Sequence, residues 1–93
     1  MKKSKKLNKE VNTTINLGTV GINNMDVTPT LTRVECNVPE SNERVFWHDF
    51  TLSFCQRVDT AGSVNITINT VGSDELRELA SLLNELADKI DGN

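Results

Sequence analysis

Ninety-three residues, 37% hydrophobic and 25% charged, describe one small globular domain rather than a disordered or multidomain chain. The formal net charge of −3 divides unevenly. Lys2, Lys3, Lys5, Lys6 and Lys9 crowd the first nine positions, and the remainder holds five basic residues against all 13 acidic ones, a net of −8. An acidic body argues against a reader of duplex DNA, whose phosphate contacts need positive charge on the folded surface, and favours a partner with a basic surface.

Residues 1–10 read as a disordered, solubilising basic tail. Weak attraction of its five lysines to nucleic acid is the alternative. MKKSKKLNKE resembles the start of a signal peptide, but no apolar stretch follows it, so a cytoplasmic location is expected. No apolar run approaches the roughly 18 residues of a membrane span.

The remainder, 11–93, is expected to be a single α+β domain. VNTTIN at 11–16 returns as VNITIN at 64–69. Both phrases alternate β-branched apolar residues with Asn or Thr, the pattern of half-buried strands. The repeat is therefore two strands meeting one requirement, not a duplicated domain. VGINNMDV places Asn23-Asn24 between two alternating arms, which predicts a two-residue hairpin. Gly18 and Pro29 on those arms predict a bulge or bend. LTRVECNV keeps Val34, Cys36 and Val38 in phase, and PESNER turns the chain into VFWHDFTLSFCQ, where Phe46, Phe50, Leu52 and Phe54 share a face. VDTAGS turns it again. The spacing predicts a four-stranded antiparallel meander over roughly 11–22, 25–38, 44–57 and 63–71.

A helix closes the chain. Ser73 suits an N-cap, Asp74 and Glu75 suit the first turn, and Lys89 and Gly92 mark the end. Leu76, Leu79, Ala80, Leu83, Leu86, Ala87 and Ile90 form one apolar stripe. Packing that stripe on the phenylalanine face is the expected use, and Leu83→Asp is then expected to unfold the domain. The stripe also fits a short heptad seam, which leaves self-association open.

Keeping the apolar faces together across PESNER pairs Val38 with Phe46, Cys36 with His48 and Glu35 with Asp49. Across the next turn it pairs Phe54 with Val64 and Trp47 with Val71. On that register Cys36 and Cys55 fall on opposite faces and remain free thiols, as in a reducing compartment. A Cys36–His48 dyad would be the one nucleophilic arrangement, but a histidine filling a core edge is the plainer reading. Two such groups fall short of the four ligands of structural zinc, so neither a metal nor a cofactor is expected. Glu35 opposite Asp49 would repel, with Arg33 on the same face as internal counter-ion or a basic partner docking there.

Trp47 falls on the Asn/Thr face, with Val45 and Val71 beside it. An exposed tryptophan is either a binding anchor or packed flat on its neighbours. The candidate partner-binding set is Trp47, Glu35, Asp49, Val45, Val71 and Arg33.

In general look, a short acidic α+β chain with a Lys/Asn-rich opening is similar to small proteins carried by bacteriophages and prophages. Some of those, anti-CRISPR proteins included, work by occupying a host enzyme's surface. That likeness is compositional and assigns no residues. The expectation is a non-enzymatic protein that binds, and in that mode inhibits, another protein through its outer sheet face, with self-association as a further partner reading.

Overall fold

The two halves of the repeated phrase form the two edges of one sheet. The computed structural model describes residues 10–38, 43–58 and 62–92. Its elements are β1 (Glu10–Asn16), β2 (Val20–Ile22), β3 (Met25–Val38), β4 (Glu43–Gln56), β5 (Ser63–Ile68) and α1 (Ser73–Ile90). All pairings are antiparallel in the order β1–β3–β4–β5, with β2 continuing the β1 edge along β3. The chain is α+β, as its patterning indicates: an antiparallel sheet and one C-terminal helix. The four-stranded meander is recovered with its first strand broken in two. Residues 39–42, residues 59–61 of the expected VDTAGS turn and the lysines of the tail lie outside the described residues.

The break has a clear cause. Asn16 pairs with Thr30, whereas Val20 pairs with Val27, so three residues of the outer strand oppose two of β3. Gly18 supplies the bulge at φ 148°, and its N–H donates to the Asn16 side-chain oxygen at 3.0 Å. Pro29, which has no N–H to offer, stands on β3 opposite the interruption. The extra residue resets the alternation. Ile15 is odd-numbered and Val20 and Ile22 are even-numbered, yet all three reach the same side as Val27 and Leu31.

Asn23 turns the β2–β3 hairpin at φ 56°, and the Arg57 N–H secures the loop by donating to the Asn24 carbonyl at 2.9 Å. Gly21 leaves room for the Arg57 guanidinium, which reaches Asp26 at 2.7 Å.

One side of the sheet, here called the phenylalanine face, presents Val27, Leu31, Phe50, Leu52, Phe54 and the apolar residues of both edges. The other presents Asn and Thr. Hydroxyls bridge neighbouring strands there, Thr14 to Thr32 at 3.2 Å, Thr51 to Thr67 at 2.9 Å and Thr19 to Thr28 at 2.7 Å.

The helix departs from expectation. Gly72, not Ser73, is its N-cap, and the Glu75 carboxylate accepts the Gly72 N–H at 2.9 Å. At the far end Gly92, with φ 92°, follows Asp91 and closes the last turn. Only its first turn meets the sheet. Leu76 is half-buried in a shallow apolar groove with Ile15, Leu17, Pro29, Leu31 and Phe50. Beyond that the helix does not lie along any strand, and none of its residues is buried.

The four-residue connector explains why. Thr70 adopts φ 61° and donates its N–H to the Asp49 carboxylate at 3.0 Å, while the Val71 N–H donates to the His48 carbonyl at 2.8 Å. These bonds fix the exit direction and carry the stripe away from its own sheet. The Cα radius of gyration, 18.5 Å, accordingly exceeds the about 12 Å of a compact chain of this length.

Among the described residues Val34 is the one buried hydrophobic side chain, at 6% exposure. Leu83 is 57% exposed, so Leu83→Asp would remove little burial within a single chain and is not expected to unfold it by that route. Val34→Ala is expected to cost about 1.5 kcal/mol from the lost methyl groups, and Leu17→Ala nearly nothing. Denaturant midpoints at one fixed protein concentration check both; equal midpoints for the two variants would contradict this placement of the core.

Candidate functional site

The β3–β4 ladder sets the site, and it differs from the register expected across PESNER. Val38 pairs with Glu43, Cys36 with Val45, Glu35 with Phe46, Arg33 with His48 and Thr32 with Asp49. The ladder runs further into PESNER than expected, with Val38 already paired to Glu43. The resulting shift is three residues. An odd shift exchanges the faces of one strand relative to the other.

On the Asn/Thr face the shift enlarges the expected island. Trp47 stands opposite Val34 and Val45 opposite Cys36, with Val38 next along β3. Asn12 flanks Val34 from the other side. Trp47 is half-buried and Val45 exposed. Glu10, Glu43 and Asp49 share this face, Glu10 opposite Cys36 and Glu43 opposite Val38. The arrangement is an aromatic and aliphatic centre inside a polar, acidic rim.

Glu35 and Arg33 do not belong to it. Both lie on the phenylalanine face, so the expected Glu35–Asp49 repulsion does not arise. Arg33 Nε donates to Glu35 Oε2 at 2.8 Å, and its guanidinium lies 3.9 Å from the Phe46 ring centroid. Arg44 approaches the other Glu35 oxygen at 3.8 Å. His48 meets the Phe46 ring edge-on at 6.1 Å. The internal counter-ion expected of Arg33 is present. Val71 is also displaced: β5 ends at Ile68, and Val71 lines a groove with Leu31, His48 and Leu76 rather than standing beside Trp47. The expected pairing of Phe54 with Val64 is observed.

The reactive groups are dispersed. Cys36 lies on the Trp47 face and His48 on the other, so they form no dyad. Cys36 and Cys55 share a face, contrary to expectation. Their partners Val45 and Asp26 nonetheless place them ten residues apart along the ladder, about 33 Å at strand spacing. That is far beyond the ~7 Å a disulfide spans, and both thiols are free. No group of three metal-ligating side chains occurs among the described residues. No described helix is long and apolar enough to cross a membrane.

Sequence reasoning missed Val34, Cys36 and Val38 as members of the island. Their signal was present. The apolar positions of β3 are odd through Met25, Val27, Pro29 and Leu31 and even through Val34, Cys36 and Val38, so one straight strand must show them on opposite faces.

No protein family, curated protein or solved structure matches the chain.

Two outcomes follow from this geometry. The Glu35 carboxyl is held below the usual carboxylate range, chiefly by the Arg33 hydrogen bond, with the charges of Arg33 and Arg44 adding and desolvation opposing. A lowered folded value contributes stability above the unfolded pKa of about 4.3 and loses it as pH falls through the folded value. The stability difference between wild type and Glu35→Gln is therefore expected to be largest above about pH 5 and to shrink below it; a pH-independent difference in melting would refute the ion pair. Thiol titration of the denatured, unreduced chain is expected to find both cysteines, and a mass two protons lighter would refute the register.

Proposed function

We propose that this protein is a non-enzymatic binder of another protein, and that the Trp47 island on the Asn/Thr face is its recognition surface. The observation that carries this reading is the arrangement of the island itself. A large aromatic side chain stands half-buried opposite the most buried position of the sheet, with Val45 and Cys36 beside it, Val38 further along β3 and polar groups outside them. An anchor at the centre with a water-excluding rim is the physical form of a binding hot spot.

The acidic rim of Glu10, Glu43 and Asp49 matches a partner with a basic surface, and the net of −8 over residues 10–93 favours the same sign. The ladder separates Cys36 from His48 and Glu35 from Asp49, so neither pair considered from the sequence is brought together. Two free thiols suit a reducing, cytoplasmic setting. Inhibition by covering a host enzyme, as in the small phage proteins this chain resembles in composition, is the use such a surface serves.

For a partner recovered by pull-down, Trp47→Ala is expected to weaken binding by about 2 kcal/mol. Asp49→Lys should slow association with a basic partner, and added salt should narrow that difference. Deleting residues 1–10 removes Glu10 with the five lysines. Binding that falls with the deletion but is unaffected by Trp47→Ala would assign the function to the tail instead. A lower melting temperature for Trp47→Ala with unchanged affinity would retire the island as the site.

A further inference from the structure

We infer that this chain assembles as a dimer in which the helix of each copy covers the phenylalanine face of the other. The inference concerns the opposite side of the sheet from Trp47 and does not depend on that surface being a binding site.

Two apolar surfaces stand open on one chain. Thirteen large hydrophobic side chains of the phenylalanine face and the helix are exposed by 42–86%. Together they leave on the order of 1000 Å² uncovered per copy, above the roughly 800 Å² each partner contributes to a standard stable interface.

The two surfaces complement each other. One is an amphipathic ridge carrying Leu79, Leu83, Leu86 and Ile90, and the other is a floor of β-branched and aromatic side chains. Helix on sheet is how such surfaces are normally layered. Within one chain that layering stops at Leu76, because the hydrogen bonds of Thr70 and Val71 set the helix leaving the sheet. A second copy related by a twofold axis supplies both missing pieces at once. Each chain offers its helix and receives one, and the assembly closes. A foreign partner would have to present both a ridge and a floor in the same spacing.

The length fits as well. The 18-residue helix is roughly 27 Å long, within the span of the 14-residue strands β3 and β4. The end of the face nearest the β2–β3 hairpin is the seat for the partner's helix. Val20, Ile22, Val27, Phe54, Val64 and Ile66 meet there, whereas Arg33, Glu35, Arg44 and His48 occupy the opposite end.

Reciprocal exchange has a distinctive signature in mixtures. Leu83→Asp damages the donated helix and Ile66→Asp damages the receiving floor. Each variant alone spoils both contacts of its own dimer, but an equimolar mixture contains pairs in which one contact joins two undamaged surfaces. Sedimentation of the full chain is expected to give twice the 10.3 kDa chain mass for wild type. Each variant alone should lose the dimer, as a monomer or an unfolded chain, and mixing them should restore a dimer with helical signal. Trp47→Ala should keep the wild-type mass, which separates this test from the fate of the recognition surface. A monomeric wild type overturns the inference. So does a variant that still dimerises alone, or a mixture that restores nothing, since edge-to-edge or helix-to-helix pairing gives no such rescue.

Discussion

The ladder between β3 and β4 is the constraint from which the other features follow. Side chains alternate strictly along a strand, so a strand whose apolar residues change parity shows them on both faces unless a bulge intervenes. β3 changes parity between Leu31 and Val34 without a bulge, and β4 runs beside it through the whole stretch from Met25–Gln56 to Val38–Glu43. Leu31 therefore joins Phe50 on one side, and Val34 joins Trp47 on the other. The polar residues exchange sides as well. Arg33 and Glu35 take the place on the phenylalanine face that a uniform strand would fill with hydrophobes, and the guanidinium lies over Phe46. The outer strand meets the same problem in the other way, by spending one residue at Gly18 to bring Val20 and Ile22 back into phase.

A sheet with apolar surface on both sides cannot be finished by one helix. The short connector makes even one side incomplete, because it seats the first turn at Leu76 and directs the rest outward. What holds the single chain together is accordingly a set of ladders, cross-strand hydroxyl pairs and ion pairs with little enclosed volume. Exposed ion pairs such as Arg57–Asp26 contribute at most about 1 kcal/mol each. The large apolar term that normally offsets chain entropy is available only between surfaces this chain leaves open. In the inferred dimer folding and assembly would be coupled, and the stability of the domain would depend on its own concentration.

Much of this architecture was legible in the sequence, for local reasons. The repeated Val-Asn-x-Thr-Ile-Asn phrase, the Asn23-Asn24 turn, the bulge at Gly18 and the span of the helix each depend on neighbours in the chain. The Phe54–Val64 register was legible because over the paired stretch each strand keeps one parity, Phe50, Leu52 and Phe54 against Ile68, Ile66 and Val64. The β3–β4 register was not, because β3 offers two apolar sets of opposite parity and either one aligns with the phenylalanines. Aligning Val34, Cys36 and Val38 with the phenylalanines uses the wrong half of the strand and puts Glu35 and Arg33 on the Trp47 face as a consequence. Alternation alone puts Val71 beside Trp47 because the strand pattern runs on past Ile68, whereas the chain leaves the sheet at Thr70. The helix stripe announced burial without naming what buries it. Periodicity shows that a surface needs a cover, and whether the cover belongs to the same chain is decided by four residues of connector geometry.

The separation of faces also bears on how recognition and assembly could coexist. A dimer closed over the phenylalanine faces leaves both Asn/Thr faces outward, each with its own Trp47, Val45 and acidic rim. Neither surface then competes with the other for the same side chains. A twofold pair of recognition surfaces would meet a repetitive or dimeric partner twice, and the second contact would form at high effective concentration without any new interaction. The gain depends on whether the twofold spacing matches the partner's. The parity change in β3, which at first looks like a defect in the pattern, is what places one apolar cluster on each side of a single sheet and so makes two independent surfaces possible in 93 residues.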